Sequence, residues 1–436
     1  MIRSLRRVET TEKKMKRDRT PNGQEIKAAL ENDPLGRNIY LNNLAEMLTT
    51  ISESTVLAID GKWGSGKTFF INQFEYLTKN PGNYANITKD IFTSLSKQYS
   101  IFYFNAWEND VLPPTESILL RLSDSLWDKT DKIKNEIVGI IEKIANISFK
   151  YVSNGAIDIK NLKKTYISDY IQRARYLIKA HEEISNLLCN YRENAGKKVL
   201  FIIDDLDRCK PSFAVELLEA VKHVFSDDNA VFLICANNGQ LQHTIKKYYG
   251  EGFDGYDYLD RFYDLIINLP EPNIEKYAKH VLKLKNSDYY CNLVAIDVME
   301  IGQMSLRQAN RYISNLSLID DFIQSQGTNF SNQCDNCIKT VFVQIAAALR
   351  LLDKKQYDDF ATGNGEEILK EFYRKSSSIQ EFNSSNSNNG LSIFGYYKSM
   401  FDPRGEYYNK RELFNRAISS IGFSTIVDVP HDELRN

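Results

Sequence analysis

The chain has 436 residues, 42% of them apolar and 26% charged, with a formal net charge of −2. That length suits two or three domains around a large core, and the near-neutral charge excludes bulk electrostatic binding of nucleic acid, leaving only a local basic patch open. Six cysteines without regular spacing exclude a disulfide framework and point to reduced thiols. Residues 1–25 are rich in Lys and Arg and show no apolar period, so they are expected as a basic, flexible arm with no signal peptide. A solvated tail and an anion-binding arm both fit that composition. Helical spacing follows at Ile26, Ala29, Leu30, Leu41, Leu44 and Leu48, and then the apolar run Val56-Leu57-Ala58-Ile59-Asp60 predicts a first buried strand.

Gly61-Lys62-Trp63-Gly64-Ser65-Gly66-Lys67-Thr68 comes next, leading into Phe69 and an amphipathic helix. Strand, glycine-rich turn and helix start together form the context in which this spacing cradles phosphate. Glycines at 61, 64 and 66 let consecutive N–H groups converge on an anion, and the helix dipole adds to the field. Lys67 is the residue placed to reach the β- and γ-phosphates, and the Thr68 hydroxyl is a Mg²⁺ ligand. A second strand is expected over 100–104, ending at Asn105-Ala106-Trp107. Asn105 at its tip suits either a nucleotide contact or a capping role. Residues 111–195 carry apolar positions three and four apart (Leu119, Leu122, Leu126, Ile133, Ile137, Ile140, Ile144, then Tyr170, Ala174, Leu177, Ile178, His181, Ile184, Leu188) and predict a helical insertion. Its most apolar stretch, Ile137–Ile141, is stopped by Glu142 and Lys143 and is too short to span a bilayer.

Lys198-Val199-Leu200-Phe201-Ile202-Ile203 is an unbroken apolar run that ends in Asp204-Asp205-Leu206-Asp207-Arg208. A buried strand ending in paired carboxylates supplies what a phosphate loop lacks: Asp204 for the metal shell, Asp205 to orient and deprotonate water. Asp207 either supports the metal shell or pairs with Arg208. Further strands are expected over 230–237 and over 265–270, each strongly apolar. Beyond Pro270 the pattern is helical, with Val341–Leu352 its most apolar segment. Residues 376–390 are low in complexity and predict a flexible loop, followed by an aromatic C-terminal segment suited to docking or to packing back on its neighbours. Cys334 and Cys337 have the spacing of half a zinc site, but no second pair exists, and a structural role is the expectation.

Trp63 within the glycine-rich loop, Phe104-Asn105-Ala106-Trp107 and Asp204-Asp205-Leu206-Asp207-Arg208-Cys209 together resemble the KAP family of P-loop NTPases. Asp33-Pro34-Leu35-Gly36-Arg37 is similar to the segment that opens that family's domain, and the likeness runs from about residue 30 to about residue 320. The resemblance implies an α/β P-loop core of the ASCE type, related to STAND and AAA-like ATPases, with a parallel sheet and a helical C-terminal lid. It implies ATP, with Mg²⁺, as the bound nucleotide, held by Gly61, Trp63, Gly64, Ser65, Gly66, Lys67, Thr68 and Phe69, with Arg37 among the contacts. Asn237 stands near the position of a γ-phosphate sensor, where the family often has an acidic residue. Arg261 lies where AAA-like relatives present an arginine to a neighbouring subunit's nucleotide; a surface pair with Asp260 or Asp264 is the alternative. Arg307, with Arg311 one turn on, matches the lid arginine that reaches back to nucleotide.

The domain layout expected is therefore an arm (1–25), a core (26–110 and 196–272), the insertion (111–195), a lid (273–375), the loop (376–390) and a C-terminal segment (391–436). The family includes bacterial proteins tied to phage exclusion and animal membrane-associated scaffolds, some with membrane spans between the two nucleotide motifs. The expectation is a cytoplasmic ATPase that acts as a conformational or oligomeric switch in anti-phage defence, self-associating and working beside a second protein of such a system. Lys67, Asp205 and Arg261 are its catalytic candidates. A nucleotide-locked scaffold with negligible hydrolysis is the alternative from another class, and a small-molecule kinase would need an acceptor pocket that no motif marks.

Overall fold

The computed structural model describes residues 22–125, 139–140, 162–282, 289–325, 332–386 and 391–421. The chain divides into two compact units, Pro21–Glu271 and Pro272–Asn436. The first opens with α1 (Gly23–Asn32), started by a reciprocal cap in which Asn22 Oδ1 accepts from Glu25 N and Glu25 Oε2 accepts from Asn22 N. Asp33, at φ 42°, ends that helix in the left-handed region. Its carboxylate then accepts from the N–H groups of Arg37 (2.7 Å) and Asn38 (3.3 Å) at the start of α2 (Asn38–Thr50). The Asp33–Arg37 string is thus a turn whose end holds the Arg37 backbone at the start of α2.

The order that follows is β1 (Thr55–Asp60), α3 (Lys67–Lys79), α4 (Lys89–Gln98), β2 (Tyr99–Asn105), α5 (Pro114–Ser125), α6 (Leu162–Ala195), β3 (Lys198–Asp204), α7 (Pro211–His223), β4 (Ala230–Ala236), α8 (Asn238–Tyr249), α9 (Gly255–Asp260) and β5 (Leu265–Asn268). All five strands lie in one sheet of order β2-β3-β4-β1-β5, and every pairing is parallel. Both faces are covered by helices, which is why the central strands read as continuous apolar runs instead of alternating ones. Period two still sorts their side chains. Val56, Ala58, Phe201, Ile203, Phe232 and Ile234 pack on one side with α5, α7 and α8. Leu57, Ile59, Leu200, Ile202, Val231 and Leu233 pack on the other with α1 to α4. Phe201 anchors the first layer, stacked on Phe232 at 4.7 Å and edge-on to Phe102 at 5.3 Å.

Of the helical insertion, Ile118, Leu119, Leu122, Ile140, Ala180, Ile184 and Leu188 are buried against this same sheet face. Ile178 points outward and is well exposed. Leu126, Ile133, Ile137 and Ile144, and the side chains of Tyr170, Ala174 and Leu177, lie outside the described residues. No helix among the described residues is long and apolar enough to cross a membrane.

The second unit is helical throughout: α10 (Ile274–Leu282), α11 (Tyr289–Ile301), α12 (Leu306–Ser325), α13 (Gln333–Cys337) running through a π-helical turn (Ile338–Phe342) into α14 (Val343–Leu352), then α15 (Lys354–Thr362), α16 (Glu366–Lys375), α17 (Ser377–Asn386), α18 (Ile393–Phe401) and α19 (Lys410–Ser419). Helix α14 lies at its centre, as its apolar sequence predicts. The aromatic C-terminal segment packs back on it, with Tyr396 and Tyr397 fully buried. Cys334 and Cys337 are buried too, and burial pushes both thiols up to about 12. That makes them inert packing groups.

Residues 377–386 correct the expectation of a flexible loop. Composition there is poor, but Ile379 and Phe382 fall three apart and are buried, and Ser376 caps the helix. Its Oγ accepts from Ile379 N and donates to Asp297 Oδ2, which also accepts from Ser378 N. Ser376→Ala removes the cap and strands a fully buried N–H, so it is expected to lower stability by about 1–2 kcal/mol. A urea midpoint equal to that of the unsubstituted protein would show that α17 needs no cap.

Candidate functional site

β1 ends at Asp60, and the chain turns through residues 61–66 into α3. Gly64 and Gly66 sit at φ 78° and 92°, where a side chain would be strained. Gly66 accordingly forms the N-terminal boundary of α3. The loop closes on itself through Ser65 N to Lys62 O at 3.2 Å. The Lys67 ammonium folds back over the loop and donates to the carbonyls of Gly61 and Lys62. Ser65 Oγ is buried with no hydrogen-bond partner. A buried hydroxyl without a partner, beside a cation held only by carbonyls at the N-terminus of a helix, fits an anion.

The acidic strand approaches from the side. Asp204 falls on the face of β3 shared with Leu200 and Ile202, the face that packs against α3. Its carboxylate has no exposure. It accepts from its neighbour's N–H at 2.9 Å and from Tyr103 Oη at 3.3 Å. The Thr68 hydroxyl and the charge of Lys67 also favour its ionised form, but burial outweighs them and its pKa is raised. The loop and the acidic strand, predicted separately, therefore meet. Thr68 and Asp204 supply hard oxygen donors of the kind Mg²⁺ takes. Among the described residues no group of three or more His, Cys, Asp or Glu could hold a metal by itself. A Mg²⁺ ion bound here would complete its shell with phosphate oxygens and water, its usual habit.

Asp205 stands in the left-handed region at φ 59°, which turns its carboxylate away from the strand. Burial first, then the neighbouring charge of Asp204, pushes it up to about 6, opposed by Arg208. Arg208 Nη1 lies 3.0 Å from Asp205 Oδ2, and Asn105 Nδ2 donates to the same oxygen at 3.4 Å. Asn105 also caps the following turn, its Oδ1 accepting from Glu108 N at 3.1 Å, which is the capping role open to it in the sequence. Asp207 does not pair with Arg208; it accepts from the Trp63 indole N–H. That bond ties the phosphate loop directly to the acidic turn. Arg208 instead lies over the Trp107 ring at 5.8 Å.

The remaining candidates are placed as follows. Phe69 is half-buried in the first turn of α3. Asn237 follows β4, the strand between the two motif strands, and its Oδ1 accepts from Gln240 N at 3.2 Å as the cap of α8. Arg261 is exposed after α9 and makes no ion pair among the described residues. Its supposed partner Asp264 accepts from Val56 N and lies 4.0 Å from Lys222. Arg37 is buried, donating to the carbonyls of Ser65 and Pro270. Arg307 is exposed in the first turn of α12 in the helical unit, with Arg311 exposed one turn on. Tyr103 escaped the sequence reading: only the strand order, which sets β2 beside β3, brings its hydroxyl to Asp204.

Residues 37–325 match the family model of the KAP family P-loop domain, more than half of the chain. The chain belongs to the KAP family. The strand order and the meeting of loop and acidic strand are what a P-loop domain of that family needs to bind nucleotide. No curated protein matches the chain. Within this KAP domain Trp63 is half exposed while its indole N–H is held by Asp207. The protein has three tryptophans, so nucleotide entering beside the loop should change the intrinsic fluorescence, and Trp63→Phe should remove most of that change. A response of full size in Trp63→Phe would place the nucleotide elsewhere.

Proposed function

We propose that the protein is a Mg²⁺-dependent ATPase whose nucleotide state sets the conformation of its helical unit and its self-association. The observation that carries this reading is the meeting of the phosphate loop with the acidic turn, where the Trp63 indole N–H is held by Asp207 beside a fully buried Asp204. In this scheme Lys67 leaves the loop carbonyls for the β- and γ-phosphates, and the N–H groups of residues 64–68 hold the phosphate oxygens. Thr68 and Asp204 hold the metal, which when bound neutralises charge on the transferring group. Asp205 accepts a proton from the attacking water; a carboxyl near 6 is largely ionised at neutral pH and still basic enough for the task. Asn105 and Arg208 hold Asp205 in place until then. Asn237, at the end of the strand between the two motifs, is the γ-phosphate contact. Arg261, exposed and without an ion pair among the described residues, completes a neighbouring subunit's site, and Arg307 is a further candidate for nucleotide contact.

Family membership supports a cytoplasmic role in bacterial anti-phage defence, beside a second protein of the system; nucleic acid is possible as a partner but not indicated. The test combines ATP turnover by the purified protein, its mass with and without Mg-ATP, and phage plating on cells lacking the gene. No turnover, no change in mass and unaltered plating would end this reading. A scaffold that binds ATP without hydrolysing it is favoured by one observation: the Asp205 carboxylate is already engaged by Arg208 at 3.0 Å. Such a protein would assemble with ATP and show no turnover that depends on Asp205.

A further inference from the structure

Arg37 is a buried cation, 3% exposed, and no carboxylate among the described residues faces its guanidinium. Burial alone lowers it to about 10, so it remains charged at neutral pH. Its Nη1 donates to Ser65 O at 2.7 Å and its Nη2 to Pro270 O at 2.6 Å, while Nε has no partner. Ser65 is the middle of the phosphate loop. Pro270 lies two residues before Pro272, where the helical unit begins. One rigid, planar group therefore links the back of the loop to the connector between the units. Two further contacts follow the same path: Lys62 pairs with Glu271 at 2.6 Å, and Leu269 N donates to Asp60 O at 2.8 Å.

We propose that Arg37 is a positioning residue that couples occupancy of the phosphate loop to the connector Leu269-Pro270-Glu271. With its carbonyl at residue 65 held from behind, the loop presents its N–H groups forward. When those groups close on phosphate the Ser65 peptide shifts. The guanidinium, bonded to both carbonyls, carries that shift to Pro270. The exposed Lys62–Glu271 pair contributes little, as exposed ion pairs do. The inference rests on nucleotide binding at the loop, and it gives a role to the arginine that ends the Asp33–Arg37 turn.

Hydrogen exchange of the full chain with and without saturating Mg-ATP tests it, read at residues 61–68 and at the amides of Leu269, Glu271 and Asn273. In the unsubstituted protein both regions are expected to slow, the connector by about 2–10-fold, the effect of one strengthened hydrogen bond. Arg37→Lys keeps the charge but lacks the planar fork: the loop should still respond and the connector should not. Glu271→Gln, which removes only the surface pair, should respond in both regions. The proposal is overturned if the connector of Arg37→Lys responds fully, or if the connector of the unsubstituted protein ignores nucleotide while the loop is protected. Loop amides indifferent to Mg-ATP would instead remove the nucleotide reading on which it rests.

Discussion

Asp205→Asn is expected to bind Mg-ATP about as well as the unsubstituted protein and to hydrolyse it about 10²–10⁴-fold more slowly, the usual contribution of a general base. The substitution suits the site. Asn tolerates the left-handed region almost as well as Asp, so φ 59° adds little strain. Its amide oxygen still accepts from Asn105, and the turn through Leu206-Asp207-Arg208 is retained. What disappears is the proton acceptor, together with the charge that pairs with Arg208. Asp205→Ala would be the poorer probe, since it also loses the residue type suited to that φ. Turnover by Asp205→Asn equal to that of the parent would remove Asp205 from the chemistry, and absence of turnover in both would favour the scaffold reading.

Lys67→Ala is expected to weaken Mg-ATP binding by about 10²-fold or more, because two charge-assisted hydrogen bonds at about 1.5–3 kcal/mol each are lost. The same ammonium holds the carbonyls of Gly61 and Lys62 when no phosphate is present. Its removal therefore also loosens the loop, which adds an ordering cost to binding. Calorimetric titration separates the two variants: Asp205→Asn keeps affinity and loses rate, whereas Lys67→Ala loses affinity first. Undiminished ATP affinity in Lys67→Ala would mean that nucleotide does not bind at this loop.

The sequence made the strands, the loop and the acidic pair legible because each is a local pattern: an apolar run, glycines at fixed offsets, carboxylates at a strand end. What it could not show depends on residues brought together from far apart. Arg37 is marked as a nucleotide contact by the resemblance alone, and nothing local shows that its guanidinium meets two main-chain carbonyls, one of them 233 residues away. Asp207 stands beside Arg208 in sequence but meets Trp63 across the site. The helix at 377–386 was hidden by serine and asparagine, and only burial of Ile379 and Phe382 by other helices makes it form. Local composition carries no record of such partners.

The order β2-β3-β4-β1-β5 also constrains how the protein is made. β1, which carries the phosphate loop, has only β4 and β5 as neighbours. During synthesis it must leave the ribosome and wait, unpaired, until the chain has been translated past Ala236, and its second edge stays open until Asn268. Strands so distant in sequence close slowly, and an apolar strand left open in the meantime invites aggregation. Nascent chains arrested before residue 230 should accordingly remain sensitive to protease and associate with chaperones, and those arrested well beyond Asn268 should acquire resistance.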